Sequence, residues 1–249
     1  MAQNDTWFER QSDLALESPT LIEGFPGLGM VASIATDQIT KQLGLDNYGV
    51  VRSEDLPPIT TFENGRVHDL VRVNAGAEPT VMTLQSDLPV PPNAFDSLSQ
   101  CILDDLTDVF DRAVFLAGVP AENEDQRGDI SGVATTEAVE SQLQDAGIEL
   151  ADGPGLLGGV TGALVSECYH ADVPAAVLVV RATPYLPDPG AARTLIEEAL
   201  EPLVHFDVDT SELVEQADRI RQQKQQIAQQ LKQQQQSQGQ QPPSPSMYQ

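Results

Sequence analysis

The stretch Thr20-Leu21-Ile22-Glu23-Gly24-Phe25-Pro26-Gly27-Leu28-Gly29 decides the fold. Its first four residues read as a short strand, three glycines and a proline then turn the chain, and residues 30–43 carry apolar side chains at helical spacing. The alternation repeats outward from there. Strand signals recur at 48–52, 66–73, 80–84, 113–116 and 175–180, and helical ones at 92–110, 136–144, 159–170 and 189–203. Several of these strands are apolar throughout, as a sheet covered on both faces requires. The pattern predicts an α/β protein, a three-layer α/β/α sandwich. Leu56-Pro57-Pro58, Leu88-Pro89-Val90-Pro91-Pro92 and Pro184-Tyr185-Leu186-Pro187-Asp188-Pro189 follow strands, so they predict rigid loops gathered at strand ends, where such folds dock ligands or partners.

The chain has 249 residues and a formal charge of −25. All 38 acidic residues lie at or before Asp218 together with nine basic ones, so the first 218 residues carry −29 and the remainder +4. Such a body repels nucleic acid and anionic membranes. Only Lys41, Lys224 and Lys232 are lysines, and an acid-rich, lysine-poor surface suits a salt-rich, halophilic cytoplasm. Cys101 and Cys168 give no disulfide framework. The chain has no early apolar run like a signal peptide and no run of 18 apolar residues.

Enzymatic signals are sparse. Glycines at 24, 27 and 29 do not make GxGxxG and lack the lysine and hydroxyl of a P-loop; they fit a tight packed turn, although the helix after them can accept an anion. The glycine-rich run from Gly153 to Gly162 reads the same way. His68, His170 and His205 are scattered without metal-ligand spacing. Ser33, Ser166 and Cys168 have no nucleophile elbow or recognisable base. The best acid–base candidates are Glu23 and Glu167, which border glycine-rich or apolar structure, with Asp55 and Asp87 in nearby loops. No cofactor, metal ligand or catalytic residue is assigned.

Beyond the body, Leu213, Ala217, Ile220, Lys224, Ile227 and Leu231 follow a heptad spacing broken by one lysine, which predicts a short amphipathic or coiled-coil helix. From Gln222 the chain is nearly all glutamine, then proline and serine, a composition that builds no core. At its end stand Met247, Tyr248 and Gln249. An apolar side chain, a tyrosine and a terminal carboxylate can fill a slot, donate a hydrogen bond and pair with a lysine; equally, they can be a frayed end.

Taken together, Leu21 to Gly29, Asp55-Leu56-Pro57-Pro58, Ser86 to Pro92, Gly132-Val133-Ala134-Thr135-Thr136 and Tyr185 to Pro189 resemble, in order and spacing, the PAC2 family of archaeal proteasome assembly chaperone-like proteins. The resemblance implies a phosphorylase/hydrolase-like sandwich, a cytoplasmic homo-oligomer and no enzymatic activity. Some archaeal members end in a hydrophobic-tyrosine-any residue motif that enters pockets between 20S proteasome α subunits. Met247, Tyr248 and Gln249 match that motif, Gln249 supplying the carboxylate for a pocket lysine. The expected organisation is an extension over 1–19, the α/β domain over 20–208, a helix over 209–232 and a flexible tail over 233–249. The expected function is a proteasome assembly chaperone or adaptor, the alternative a small-molecule enzyme using the loop carboxylates.

Overall fold

The computed structural model describes residues 6–223. The first half of the chain gives β1 (Thr6–Arg10), β2 (Thr20–Gly24), helix α1 (Val31–Gln42), β3 (Asp46–Ser53), β4 (Thr61–Glu63), β5 (Arg66–His68), β6 (Val71–Ala77), β7 (Thr80–Ser86) and α2 (Phe95–Leu106). The second gives β8 (Arg112–Pro120), β9 (Ile130–Ala134), α3 (Glu137–Asp145), α4 (Gly159–His170), β10 (Ala175–Ala182), α5 (Pro189–Leu195) and α6 (Glu201–Val204). Eight strands form one sheet in the order β1-β3-β6-β7-β2-β8-β10-β9, while β4 and β5 make a separate two-stranded ribbon. The central strands β7, β2, β8 and β10 run parallel, and the flanking pairings are antiparallel.

The apolar runs are apolar because alternate residues serve two different cores. Ile22, Val114, Leu116, Leu178 and Val180 pack with α1, α3, α5 and α6 on one face. Leu21, Phe115, Ala175 and Val177 pack with α2 and α4 on the other. These are the three layers of an α/β/α sandwich, and along the covered stretch of such a strand residues are buried whichever way they point.

The sheet extends further than the sequence predicts. Residues 6–10, assigned to the extension before residue 20, form β1 and pair with β3 at the sheet edge. The strand expected over 66–73 is two strands, because the chain leaves the ribbon at His68 and enters the main sheet at Val71. The Arg72 guanidinium donates to the Asp69 carbonyl at 2.8 Å and fixes that corner. The sequence pattern also leaves out β9; its buried residue is Gly132, which lies against Leu143 and Ile148, where a Cβ would meet Leu143 at 2.9 Å.

Candidate functional site

Loops following the parallel strands meet at one edge of the sheet, and Asp188 ties three of them together. Its fully buried carboxylate accepts from the Thr183 N–H (2.9 Å), the Ala191 N–H (3.0 Å) and Arg127 Nε (2.7 Å), with Arg127 Nη2 as a further donor. The Asp188 N–H donates to the Gly29 carbonyl at 2.8 Å. Burial alone would raise this carboxyl, but the Arg127 hydrogen bonds and the two backbone donors hold it below the usual carboxylate range. One side chain thus caps α5, anchors the loop after β8 and fixes the proline-rich loop that carries Tyr185. The glycine cluster is spent on the same packing: a Cβ at Gly24 would lie 2.0 Å from Thr36 Oγ1 of α1. That is a close strand-to-helix approach.

At this edge lies a cleft of about 330 Å³ bordered by Phe25, Leu28, Val90, Leu156 and Thr161. Close by, Glu23 is completely buried; it accepts from the Phe25 N–H at 2.8 Å and sits 3.2 Å from Thr161 Oγ1 in the first turn of α4. Burial pushes its carboxyl up to about 7 against the lowering effect of these hydrogen bonds. A carboxyl poised near neutrality can exchange a proton, yet it needs a second reacting group. The predicted partner Glu167 lies further along α4, where Thr161 is the residue that contacts Glu23. Asp55 accepts from Ser97 Oγ at 2.8 Å, and Asp87 is held bidentate by Arg72 at 2.7 and 2.9 Å. Glu23, Asp55 and Asp87 therefore have separate partners, and the four carboxylates share no common target.

The remaining candidates are occupied structurally. Ser33 Oγ donates to the Met30 carbonyl, and Ser166 and Cys168 lie within α4. Burial pushes the Cys101 and Cys168 thiols up to about 12, which removes the thiolate a nucleophile requires. His68 Nδ1 lies 2.7 Å from Arg72 Nη1 and 3.0 Å from Thr61 Oγ1, His170 bonds to the Ser166 carbonyl, and His205 ends α6 in a left-handed conformation. Among the described residues no group of three His, Cys, Asp or Glu could hold a metal ion, and no helix is long and apolar enough to cross a membrane.

Several large apolar side chains stand exposed. Leu156 and Tyr185 stand almost free at the loop edge, and Phe62 and Val67 stand exposed on the β4–β5 ribbon. The sequence reading missed the ribbon, although Asn64-Gly65 between Phe62 and Val67 is a strong short-range hairpin signal.

A final helix runs over 211–223 within the described residues. Its root is tied to α1: Leu213 is buried in the core, Gln38 Nε2 donates to the Asp209 carbonyl, and Lys41 pairs with Glu212. Of the heptad seam, Ala217 and Ile220 are half-buried, while Lys224, Ile227 and Leu231 lie outside the described residues. Met247, Tyr248 and Gln249 also lie outside them.

Comparison with known proteins places this architecture. The chain is 28% identical over 224 residues to the uncharacterized protein MJ0106 of Methanocaldococcus jannaschii, covering 90% of this chain and 91% of that one. Its fold is similar to Pyrococcus furiosus PbaA, described as an archaeal homolog of proteasome-assembly chaperone: TM-score 0.80, 24% identity, 91% of this chain and 94% of PbaA. It is also similar to Pyrococcus furiosus PbaB, described as an archaeal proteasome activator: TM-score 0.78, 17% identity, 91% of this chain and all of PbaB. At these identities the structural likenesses speak for the fold. The PAC2 family model matches residues 21–228, and the chain belongs to the PAC2 family.

Proposed function

We propose that this protein is a proteasome-assembly chaperone or proteasome-binding adaptor, and that it engages the 20S particle by docking its C-terminal Met247, Tyr248 and Gln249 into pockets of the α ring. The observation that carries the reading is PAC2 membership, together with the full-length fold likeness to PbaA and PbaB, both described in terms of the proteasome. Among the described residues, Glu23, Asp55 and Asp87 are each engaged in separate structural contacts, which favours a binding role over the enzymatic alternative.

The proposed organisation is a phosphorylase/hydrolase-like body that works as a cytoplasmic homo-oligomer, followed by a helix and a spacer that deliver the terminal tripeptide. Oligomerisation matters because several tails engaging one ring act by multivalency, so each can be individually weak. In a pull-down of 20S proteasome at high salt, the full chain should retain the particle and a chain lacking residues 247–249 should lose it. Equal retention would defeat tail docking; no retention by either would defeat the proteasome reading itself.

A further inference from the structure

Tail docking as proposed leaves the β4–β5 ribbon without a role. It folds over the open face of the antiparallel strands and is pinned there by polar contacts, with Thr61 and His68 joined to Arg72 and Asp87. Its turn is tight: Asn64 and Gly65 have φ of 49° and 78°, the positive values a two-residue hairpin turn requires. Phe62 and Val67 are directly opposed across the ribbon and therefore share a face, and they are 75% and 73% exposed. A ribbon this short is marginal by itself, and a rigid apolar pair turned to water gives it nothing.

We propose that this ribbon, with Ile59 and Trp7, is the surface on which a second copy of the chain docks; the inference rests on the homo-oligomer in the function proposed above. Two observations select a second copy as the occupant. The first is charge. Arg52, Arg66 and Arg72 stand here among Glu9, Glu54, Glu63, Asp69 and Asp87, three bases to five acids, whereas the first 218 residues carry about four acids for every base. A basic partner would be drawn to the acidic surface elsewhere. An equally acidic copy can approach most easily where the surface is least acidic, and this patch supplies both signs for it.

The second observation is shape. Beside the projecting pair lies a cleft of about 390 Å³ lined by Trp7, Leu56, Ile59, Val67 and Leu70. Knob and hollow therefore sit on one surface, which is what contact between identical surfaces needs. Ile59 and Trp7 are 51% and 45% exposed, and they line the cleft with Val67 beside the charged Arg52, Glu54 and Asp69. The Phe8 N–H at the neighbouring sheet edge already donates to Asp105 at 3.0 Å, which blunts pairing by strand addition and leaves side-chain contact as the mode.

The test is light scattering on the full chain at high salt. The wild type should show a multiple of the chain mass, a Phe62→Ser/Val67→Ser variant should associate at least ten-fold more weakly, and Leu156→Ser at the loop edge should match the wild type. As a check that does not depend on loss of function, Phe62→Cys should be joined into linked pairs by a bis-maleimide, because Cys101 and Cys168 are buried. An assembled wild type with an equally assembled double-serine variant, or with an unlinked Phe62→Cys protein, overturns this surface. A wild type of single-chain mass overturns the surface and the oligomer together, while leaving tail docking to its own pull-down.

Discussion

The two halves of the sheet are finished differently. From β7 to β10 the strands are covered by helices on both faces, and their residues alternate between two apolar cores. From β1 to β6 the large apolar core lies on the α2 face alone. The opposite face carries Arg72 and Asn74, is walled by α1 and the ribbon, and encloses an open polar groove of about 920 Å³. Along its border with α1, Thr40 bonds Thr83 at 2.8 Å, Asn74 donates to Gln85 at 2.7 Å, and Gln85 donates to Asp37 at 2.8 Å. No buried side-chain N or O among the described residues lacks a partner. The comparison teaches that the parallel half supplies stability while the antiparallel half supplies surface. Polar residues there cost little because each is hydrogen-bonded.

The sharpest way to break this division is to remove one phenylalanine from each half. Phe115, 1% exposed in β8, should cost about 3–5 kcal/mol when replaced by alanine. Phe62→Ala should change the stability of the single chain by less than about 0.5 kcal/mol, as exposed substitutions do. Denaturant titration at fixed high salt measures both, and similar costs would end the distinction.

Glu23 sharpens it by pH. Its folded-state carboxyl is raised from 4.5 to about 7, so the folded protein holds that proton more tightly than the unfolded chain does. Stability from this group is therefore present below about pH 4.5, falls as pH rises through about 7, and stays lost above. The full loss is on the order of 3 kcal/mol. Glu23→Gln keeps the shape and removes the titration, so the stability difference between wild type and variant should grow over that window. A pH-independent difference would mean that Glu23 is ionised in the fold at ordinary cost.

Smaller effects belong to the antiparallel half. Arg72→Ala removes the bidentate contact to a one-third-exposed Asp87 and should cost about 1 kcal/mol, and Lys41→Ala, which frees the solvent-exposed Glu212, should cost less. Salt acts on the whole body at −29: lowering it from about 1 M to 0.01 M lengthens screening from roughly 3 Å to 30 Å and should lower the unfolding midpoint.

How much the sequence disclosed follows the same division. The doubly covered strands were legible because burial on both faces leaves an uninterrupted apolar run, and Val177-Leu178-Val179-Val180 has no other economical reading. The edge strand β1 was not: Thr6-Trp7-Phe8-Glu9-Arg10 mixes exposed and half-buried positions and lies next to another chain segment only through the fold. The ribbon was hidden by merging Arg66–His68 with the strand that follows, although Asn64-Gly65 marked its turn. At the loop edge, the sequence identified Glu23 as an unusual carboxylate but paired it with Glu167, because α4's contact with it depends on how the glycine-rich approach sets Thr161. Proline-rich loops were correctly expected at strand ends; that Asp188 ties them together is a tertiary fact that no local pattern carries.

The central claim is that the terminal tripeptide docks into the 20S α ring, and Tyr248 tests it most directly. Its ring offers a large apolar contact at small side-chain entropy cost, and its hydroxyl can find a partner once desolvated. Binding of the wild type and of Tyr248→Ala to archaeal 20S proteasome, measured in one high-salt buffer, should differ by about 2 kcal/mol or more per engaged tail, with body folding unchanged. Binding of Tyr248→Ala at wild-type strength would contradict the account and return recognition to the α/β surface.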